Sequence, residues 1–360
     1  MRALRYGLLL LAATPLTAVA EAVLNFYNWG EYIDGTVIDE FEAEYGIKVN
    51  FDSYPSAEIV DTKLLTGGTG YDVVIHASSN SKPLMEIGVY QRVDYSRLEN
   101  FHHLNPTIFR IMQERFGEDF GGVPYMWGST GFSYNRDMIY ERMPDAPVDS
   151  AAMLFDPEVV SRFADCGVTL LDDPSSVLSM ALLYLGYPPN SVDPEELAEV
   201  EALLAQVRPY FKYYSNSKMQ LDLPSEEVCI AMSWSGDYAV ANMRAREAGL
   251  DVDIAYTVPI EGASDWMDNM YIPADAPNVD NAYLFLDFML RPEIAARNTN
   301  AIGYANSNAS ATRFVNPEIS GDPAIYPGEE IWDRLYEAKN LPPKQQRVRT
   351  RSWIKIKSGL

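Results

Sequence analysis

The sequence predicts an α/β protein of two lobes, built on a mainly parallel sheet. Two observations carry that expectation. At 360 residues the chain has room for two domains of about 150. Apolar strands and amphipathic helices also alternate in order, first near the N-terminus and again after residue 165. A composition of 47% hydrophobic, 12% aromatic and 22% charged residues excludes disorder, collagen and coiled coil as the main state.

The first unit reads from Val23. Val23 to Tyr27 is a short apolar strand, followed by the polar turn Asn28 to Tyr32. Thr36 to Tyr45 carries Val37, Ile38 and Phe41 on one helical face and stops at Gly46. Ile47 to Tyr54 alternates like a strand, Ala57 to Thr66 is helical, and Gly67 to Gly70 leads into the strand Tyr71 to Ile75. In such a β-α-β-α-β order ligands sit beyond the carboxyl ends of the strands, here Trp29 to Tyr32 and His76 to Asn80. Lys82 to Gly88 starts another helix, and the segments 122–127 and 131–135 read as a strand pair leaving this unit.

The second unit follows. Thr169 to Leu171 and Val228 to Met232 are short buried strands, with helices at Ser175 to Leu185 and Pro194 to Val207. Trp234 to Asp237 opens the helix Tyr238 to Ala248, Val252 to Val258 is a returning strand, and Ala282 to Leu290 is an apolar helix. The basic run Gln345 to Arg351 reads as a solvated or acid-paired face.

Charge and termini narrow the function. Twenty-eight Lys and Arg against 51 Asp and Glu give −23, and the first twenty residues hold Arg2 and Arg5 but no acid. That balance excludes a nucleic-acid partner, which needs basic surface, and favours cations. Met1 to Arg5, the apolar Leu8 to Leu16 and the small Ala18-Val19-Ala20 form a signal peptide over 1–20, so the mature chain is expected outside the cytoplasm. In that oxidising compartment Cys166 and Cys229 are expected to form one disulfide around some 60 residues; two buried thiols are the alternative.

Catalytic and metal motifs are not found. His76, His102 and His103 lack the i, i+4 spacing of a zinc helix, and no G-x-S-x-G elbow or phosphate-binding Gly-Lys-Ser/Thr occurs, so no catalytic residue, metal or cofactor is assigned. An acidic pair of glycoside-hydrolase type survives as an alternative, because 51 acids cannot be sorted by counting. Consecutive Tyr213-Tyr214 raise ferric ion as another. More telling is an aromatic beside an acid at expected strand ends: Trp29 with Glu31 and Tyr32, Trp234 with Asp237, Trp266 with Asp268. An ammonium ion gains about 0.5–2 kcal/mol over an aromatic face and donates three hydrogen bonds, which carboxylates accept best.

These residues carry a resemblance. From Val23 to Leu360 the chain resembles the periplasmic polyamine-binding proteins of ABC transporters, at Phe26-Tyr27-Asn28-Trp29 with Glu31-Tyr32-Ile33, Thr69 to Val74, Val123 to Trp127, Trp234 to Asp237, Pro273 to Ala276, Tyr304 to Asn306 and Arg347 to Trp353. The resemblance implies a type II periplasmic-binding-protein fold, two α/β lobes joined by a two-strand hinge near Ser133 to Asn135 and Val258. Its lobes would be 23–132 plus 259–305 and 133–258 plus 306–360. It further implies a ligand cleft walled by Trp29, Trp234 and Trp266 and edged by Tyr32, Tyr304 and Ser79, with Glu31, Asp237 and Asp268 receiving ammonium groups, and the Cys166–Cys229 disulfide. The implied partners are a polyamine, spermidine or putrescine, and an ABC permease; the chain would be a monomer and no enzyme. Ser176 stands where putrescine receptors commonly carry a Glu, and Asp173 where spermidine receptors place an Asp, so the spermidine pattern is partly present. Ala77 and Asn80 replace a serine and an aromatic residue and make the wall more polar; agmatine is a further candidate. Because unpaired buried carboxylates are costly, an open, wet cleft is expected without ligand.

Overall fold

The computed structural model describes residues 22–117, 120–339 and 341–359, so the expected signal peptide lies outside the described residues. β1 (Val23–Trp29), β2 (Lys48–Tyr54) and β3 (Val73–Ala77) form a parallel sheet in the order β2-β1-β3. The crossover helices are Gly35–Tyr45 and Ala57–Thr66. Asp34 caps the first of these by accepting from the Thr36 N–H, and Gly46, at φ 65°, ends it in the left-handed conformation. Strand alternation splits the apolar side chains between two faces. Phe26, Val73 and Ile75 meet Phe41 and Phe285 on one side, while Tyr27 and Val74 meet Val60 and Leu64 on the other.

The sheet then continues through long antiparallel strands. β4 (Tyr90–Gln91) is a short edge. β5 (Val123–Asn135) is buried at all thirteen positions. β6 (Val168–Leu170), β7 (Phe211–Tyr214) and β8 (Ile230–Trp234) form the second parallel set, ordered β8-β6-β7. β9 (Ile254–Thr257) pairs with the end of β5, and β10 (Ala263–Pro273) runs between β3 and β5. β11 (Ala305–Asn306) pairs with β5, and β12 (Leu335–Glu337) adds parallel to the start of β10. Two core regions result, one on the β6–β8 set and one enclosing the β1–β3 set.

β5 is one strand where the sequence suggests two. Gly128 and Gly131, near the break between the two expected strands, mark close packing. A Cβ on Gly128 would stand 2.5 Å from the Trp266 ring, and one on Gly131 would stand 2.2 Å from the Thr257 carbonyl oxygen. β5 changes partners between Ser129, which faces β10, and Thr130, which faces β8, a few residues before the expected crossing. The return crossing comes later than Val258, in β10, because Thr257 still pairs with Phe132. Farther on, Ala311, Val315, Ile319 and Ile325 pack in the first core, whereas Trp353 and Ile356 pack in the second.

The C-terminal basic run also differs from its expectation. It lies on the helix Pro343–Ser358, where Arg349 shares a face with Trp353 and Ile356 and is only 3% exposed. Its guanidinium donates to the Pro189 carbonyl at 2.9 Å and the Ser179 hydroxyl at 2.8 Å, partners from a distant turn and a distant helix that no local charge pattern reveals.

Cys166 and Cys229 are joined, with Cα atoms 5.5 Å apart and a sequence separation of 63. A loop of that length restricts the unfolded chain by about 4 kcal/mol. Replacing both cysteines by alanine is expected to lower the unfolding free energy by about that amount in urea titrations at constant pH. An unchanged midpoint would remove the disulfide from the list of stabilising features.

Candidate functional site

β1 delivers Trp29 to its carboxyl end, and the turn that follows is fixed by a buried amide. Asn28 Nδ2 donates to the Tyr32 carbonyl at 3.1 Å, and Tyr125 Oη donates to the same carbonyl at 2.9 Å. Tyr32 is thereby turned inward, edge-on to Tyr125 and Tyr304 at 5.6 and 5.4 Å. Tyr304 in turn meets the Trp266 ring edge-on at 5.1 Å. From the second unit, the helix Ser235–Glu247 starts at the end of β8 and brings Asp237 in its first turn. Asp237 accepts from Tyr304 Oη at 3.0 Å, from Gln220 Nε2 at 2.8 Å and from the Trp234 N–H at 3.4 Å. Trp234 packs against side chains of both cores. The Tyr304–Asp237 bond thus closes the space between the units.

Asp268 lies opposite Ala77 in the β10–β3 register and is 5% exposed. Its Oδ1 has no hydrogen-bond partner among the described residues, and neither have Trp29 Nε1, Tyr32 Oη or Trp266 Nε1. Burial pushes the Asp268 carboxyl up to about 7, against the pull of the Tyr32 hydroxyl and the Trp29 indole. Burial likewise pushes Asp237 up to about 6, opposed first by its Gln220 and Tyr304 bonds. Two carboxyls withheld from water and walled by aromatic rings are poised for a cation, which would supply the opposite charge to both and a donor to Asp268 Oδ1.

The structure therefore brings together Trp29, Tyr32, Trp234, Asp237, Trp266, Asp268 and Tyr304. Trp266 and Asp268 arrive from the middle of the crossing strand and not from a strand end. Three expected residues stand apart from this group. Glu31, left-handed at φ 54°, keeps its side chain 80% exposed and lies 3.6 Å from Arg244. Ser79 sits in the first turn of the helix Ser78–Glu86 with its hydroxyl on Asn80 at 3.0 Å. Asp173 caps the helix Pro174–Tyr184, accepting from the Ser176 N–H at 2.6 Å; burial raises its carboxyl, and Glu58 of the first unit adds to the rise. Asn28, Tyr125, Gln220 and Glu58 were not singled out. Asn28 was signalled by adjacency to Trp29; Gln220, in a short irregular segment, gave no signal.

The tyrosines that raised ferric ion have other roles. Tyr213 donates to Asp222, and Tyr214 packs edge-on against Trp353. The two units also meet across the cleft, which is closed in this structure. The Tyr304–Asp237 bond, the Glu31–Arg244 contact and an Arg246–Glu318 ion pair hold it shut. Gly236 is required for that closure, since a Cβ there would stand 2.3 Å from the Tyr304 ring. Gly236→Ala is expected to prop the units apart, seen as a larger radius of gyration by small-angle scattering; an unchanged radius would mean that Tyr304 can yield.

The family model of bacterial extracellular solute-binding proteins matches residues 36–327. The chain is 41% identical to a putrescine-binding periplasmic protein of Pseudomonas aeruginosa strain UCBPP-PA14, with 99% of both chains covered. It is 36% identical to a putrescine-binding periplasmic protein of Escherichia coli K12, covering 98% of this chain and 96% of the other. A solved structure, the substrate-binding protein of a spermidine/putrescine ABC transporter from Streptococcus pneumoniae, superposes with a TM-score of 0.76 at 29% identity, over 94% of this chain and 99% of that one.

Proposed function

The chain belongs to the bacterial extracellular solute-binding proteins, and from that premise we propose that it captures a polyamine, spermidine or putrescine, by cleft closure in the periplasm and delivers it to an ABC permease. It does so as a monomer, with no bond made or broken. The observation that carries this reading is Asp268, a buried carboxyl whose Oδ1 meets no hydrogen-bond partner among the described residues, walled by the Trp29 and Trp266 indoles and the Tyr32 hydroxyl. A primary ammonium donates up to three hydrogen bonds. The methylene stem would lie along the indole faces, gaining about 0.8 kcal/mol per CH₂ buried.

In this proposal Trp29, Trp234 and Trp266 wall the cleft, and Tyr32 and Tyr304 orient the acids. Asp268 and Asp237 take the charge. Asp173 and Ser79 extend the site toward a second amine, and Glu31 acts at the mouth. Asp173, whose carboxyl burial raises, stands where spermidine receptors place an Asp, which favours spermidine with its third charge. The relatives reported above are named for binding and not for hydrolysis, which favours the receptor over an acid-pair hydrolase.

Titration of the mature protein with spermidine and putrescine tests the reading. Saturable binding below millimolar concentration, with a change in tryptophan fluorescence, is the expected result. No heat and no spectral change with any polyamine would overturn it.

A further inference from the structure

Helices that begin at the cleft share an electrostatic problem. The N-terminus of a helix carries about half a positive charge, the wrong sign beside a cation. Ala57–Thr66 meets this with Glu58 in its first turn, Ser235–Glu247 with Asp237 in its first turn, and Pro174–Tyr184 with Asp173 at its cap. Ser78–Glu86 has no such device. Its cap is Ala77, the residue opposite Asp268, with no capping side chain and no acid in the first turn.

A neighbouring helix supplies the missing charge. Asp61 Oδ2 accepts from Asn80 Nδ2 at 3.1 Å, in the first turn of Ser78–Glu86, and Asn80 Oδ1 accepts from Ser79 Oγ at 3.0 Å. The other oxygen, Oδ1, lies 3.1 Å from Nε2 of His76, a fully buried ring whose Nδ1 is 2.8 Å from Tyr90 Oη. Asp61 thus has a polar neighbour at each oxygen, hydrogen-bonded at Oδ2, while keeping 28% of its side chain exposed. Tyr54, whose ring is 4.4 Å from Trp29, feels the charge of both Asp268 and Asp61.

We infer that Asp61 is a positioning residue for cation capture: from the adjacent helix it offsets the positive end of Ser78–Glu86 beside Asp268 and, through Asn80, holds the first turn of that helix in place. The inference rests on the amine-binding reading above. It concerns a residue that need not touch the ligand.

The test compares the mature parent protein with Asp61→Asn and Asp61→Ala, titrated with putrescine at pH 8 in low and moderate salt. Asn has the same shape and can still accept from Asn80, while its NH₂ would donate to His76 Nε2 in the tautomer protonated at Nδ1, so the charge is lost with hydrogen bonding retained. Both variants are expected to bind roughly three- to tenfold more weakly in low salt, with a shallower dependence on salt. If Asp61→Asn binds like the parent, with the parent's salt dependence, the inference is overturned, even where Asp61→Ala binds poorly, because hydrogen bonding alone would then explain the site. Should Asp61→Ala fail to fold, Asp61→Asn decides by itself. A parent protein that binds no amine would overturn the amine reading and this inference together, whereas a binding parent with an unchanged Asp61→Asn overturns only the inference.

Discussion

Asp268→Asn is expected to weaken spermidine or putrescine binding by at least about a hundredfold at pH 8, or ~3 kcal/mol, as for truncating one member of a buried charge pair. The same substitution is expected to stabilise the ligand-free protein. Burial raises the Asp268 carboxyl from 3.8 to about 7 in the folded chain, so the folded state holds its proton more tightly than the unfolded state. Its contribution is therefore least unfavourable below the unfolded value and grows more unfavourable as pH rises from about 4 through about 7. Above that window the ionised carboxylate costs on the order of 4 kcal/mol, which the amide does not incur. Urea titrations of parent and variant at pH 8 and pH 4 measure both terms. Loss of stability at pH 8 would show that the carboxylate is paired or solvated, and affinity equal to the parent's would place the cation elsewhere.

The second large effect is the pH dependence of binding itself. A bound cation favours the ionised form of both acids, whereas the closed, ligand-free site holds Asp268 protonated below about 7 and Asp237 below about 6. Lowering the pH from 8 to 5 then costs about a hundredfold through Asp268 and about tenfold through Asp237, roughly a thousandfold in all. The direction follows from the sign of the shifts: both carboxyls are raised, so binding releases protons and acid opposes it. Calorimetry at pH 6.5 in buffers of different ionisation heat would reveal that release. In Asp268→Asn the steeper part of the profile, between pH 7 and 5, is expected to shrink to the Asp237 contribution. An affinity that stays flat from pH 8 to 5 would mean that neither acid is withheld from water before the ligand arrives.

Legibility from sequence followed the range of the interactions. The helices Ala57–Thr66 and Pro194–Val207 begin and end where their spacing and flanking residues place them, because caps and apolar stripes are local. β10 was not recognised as a strand. Ala263–Pro273 contains Asp265, Asp268 and Asn269, all buried, and these polar residues interrupt the alternation by which a strand is read. They lie inside because β3 and β5 pair on either side. That 122–127 and 131–135 form one strand is likewise set from elsewhere: close approach of Trp266 and Thr257 requires glycine at 128 and 131. Arg349 read as surface charge because its acceptors, Pro189 and Ser179, come from another part of the chain.

By itself the sequence determined the two parallel α/β units, the one pair of cysteines that a disulfide could join, the acidic excess and the aromatic residues beside acids. These depend on periodicity, counting and adjacency. Which acids lose their water was decided only by the tertiary structure. Asp237 is closed off by Tyr304 from 67 positions away and Asp268 by strands on both flanks, while Glu31, next to the same tryptophan motif, stays exposed. Desolvation is set by everything that packs around a group, and most of that arrives from elsewhere in the chain.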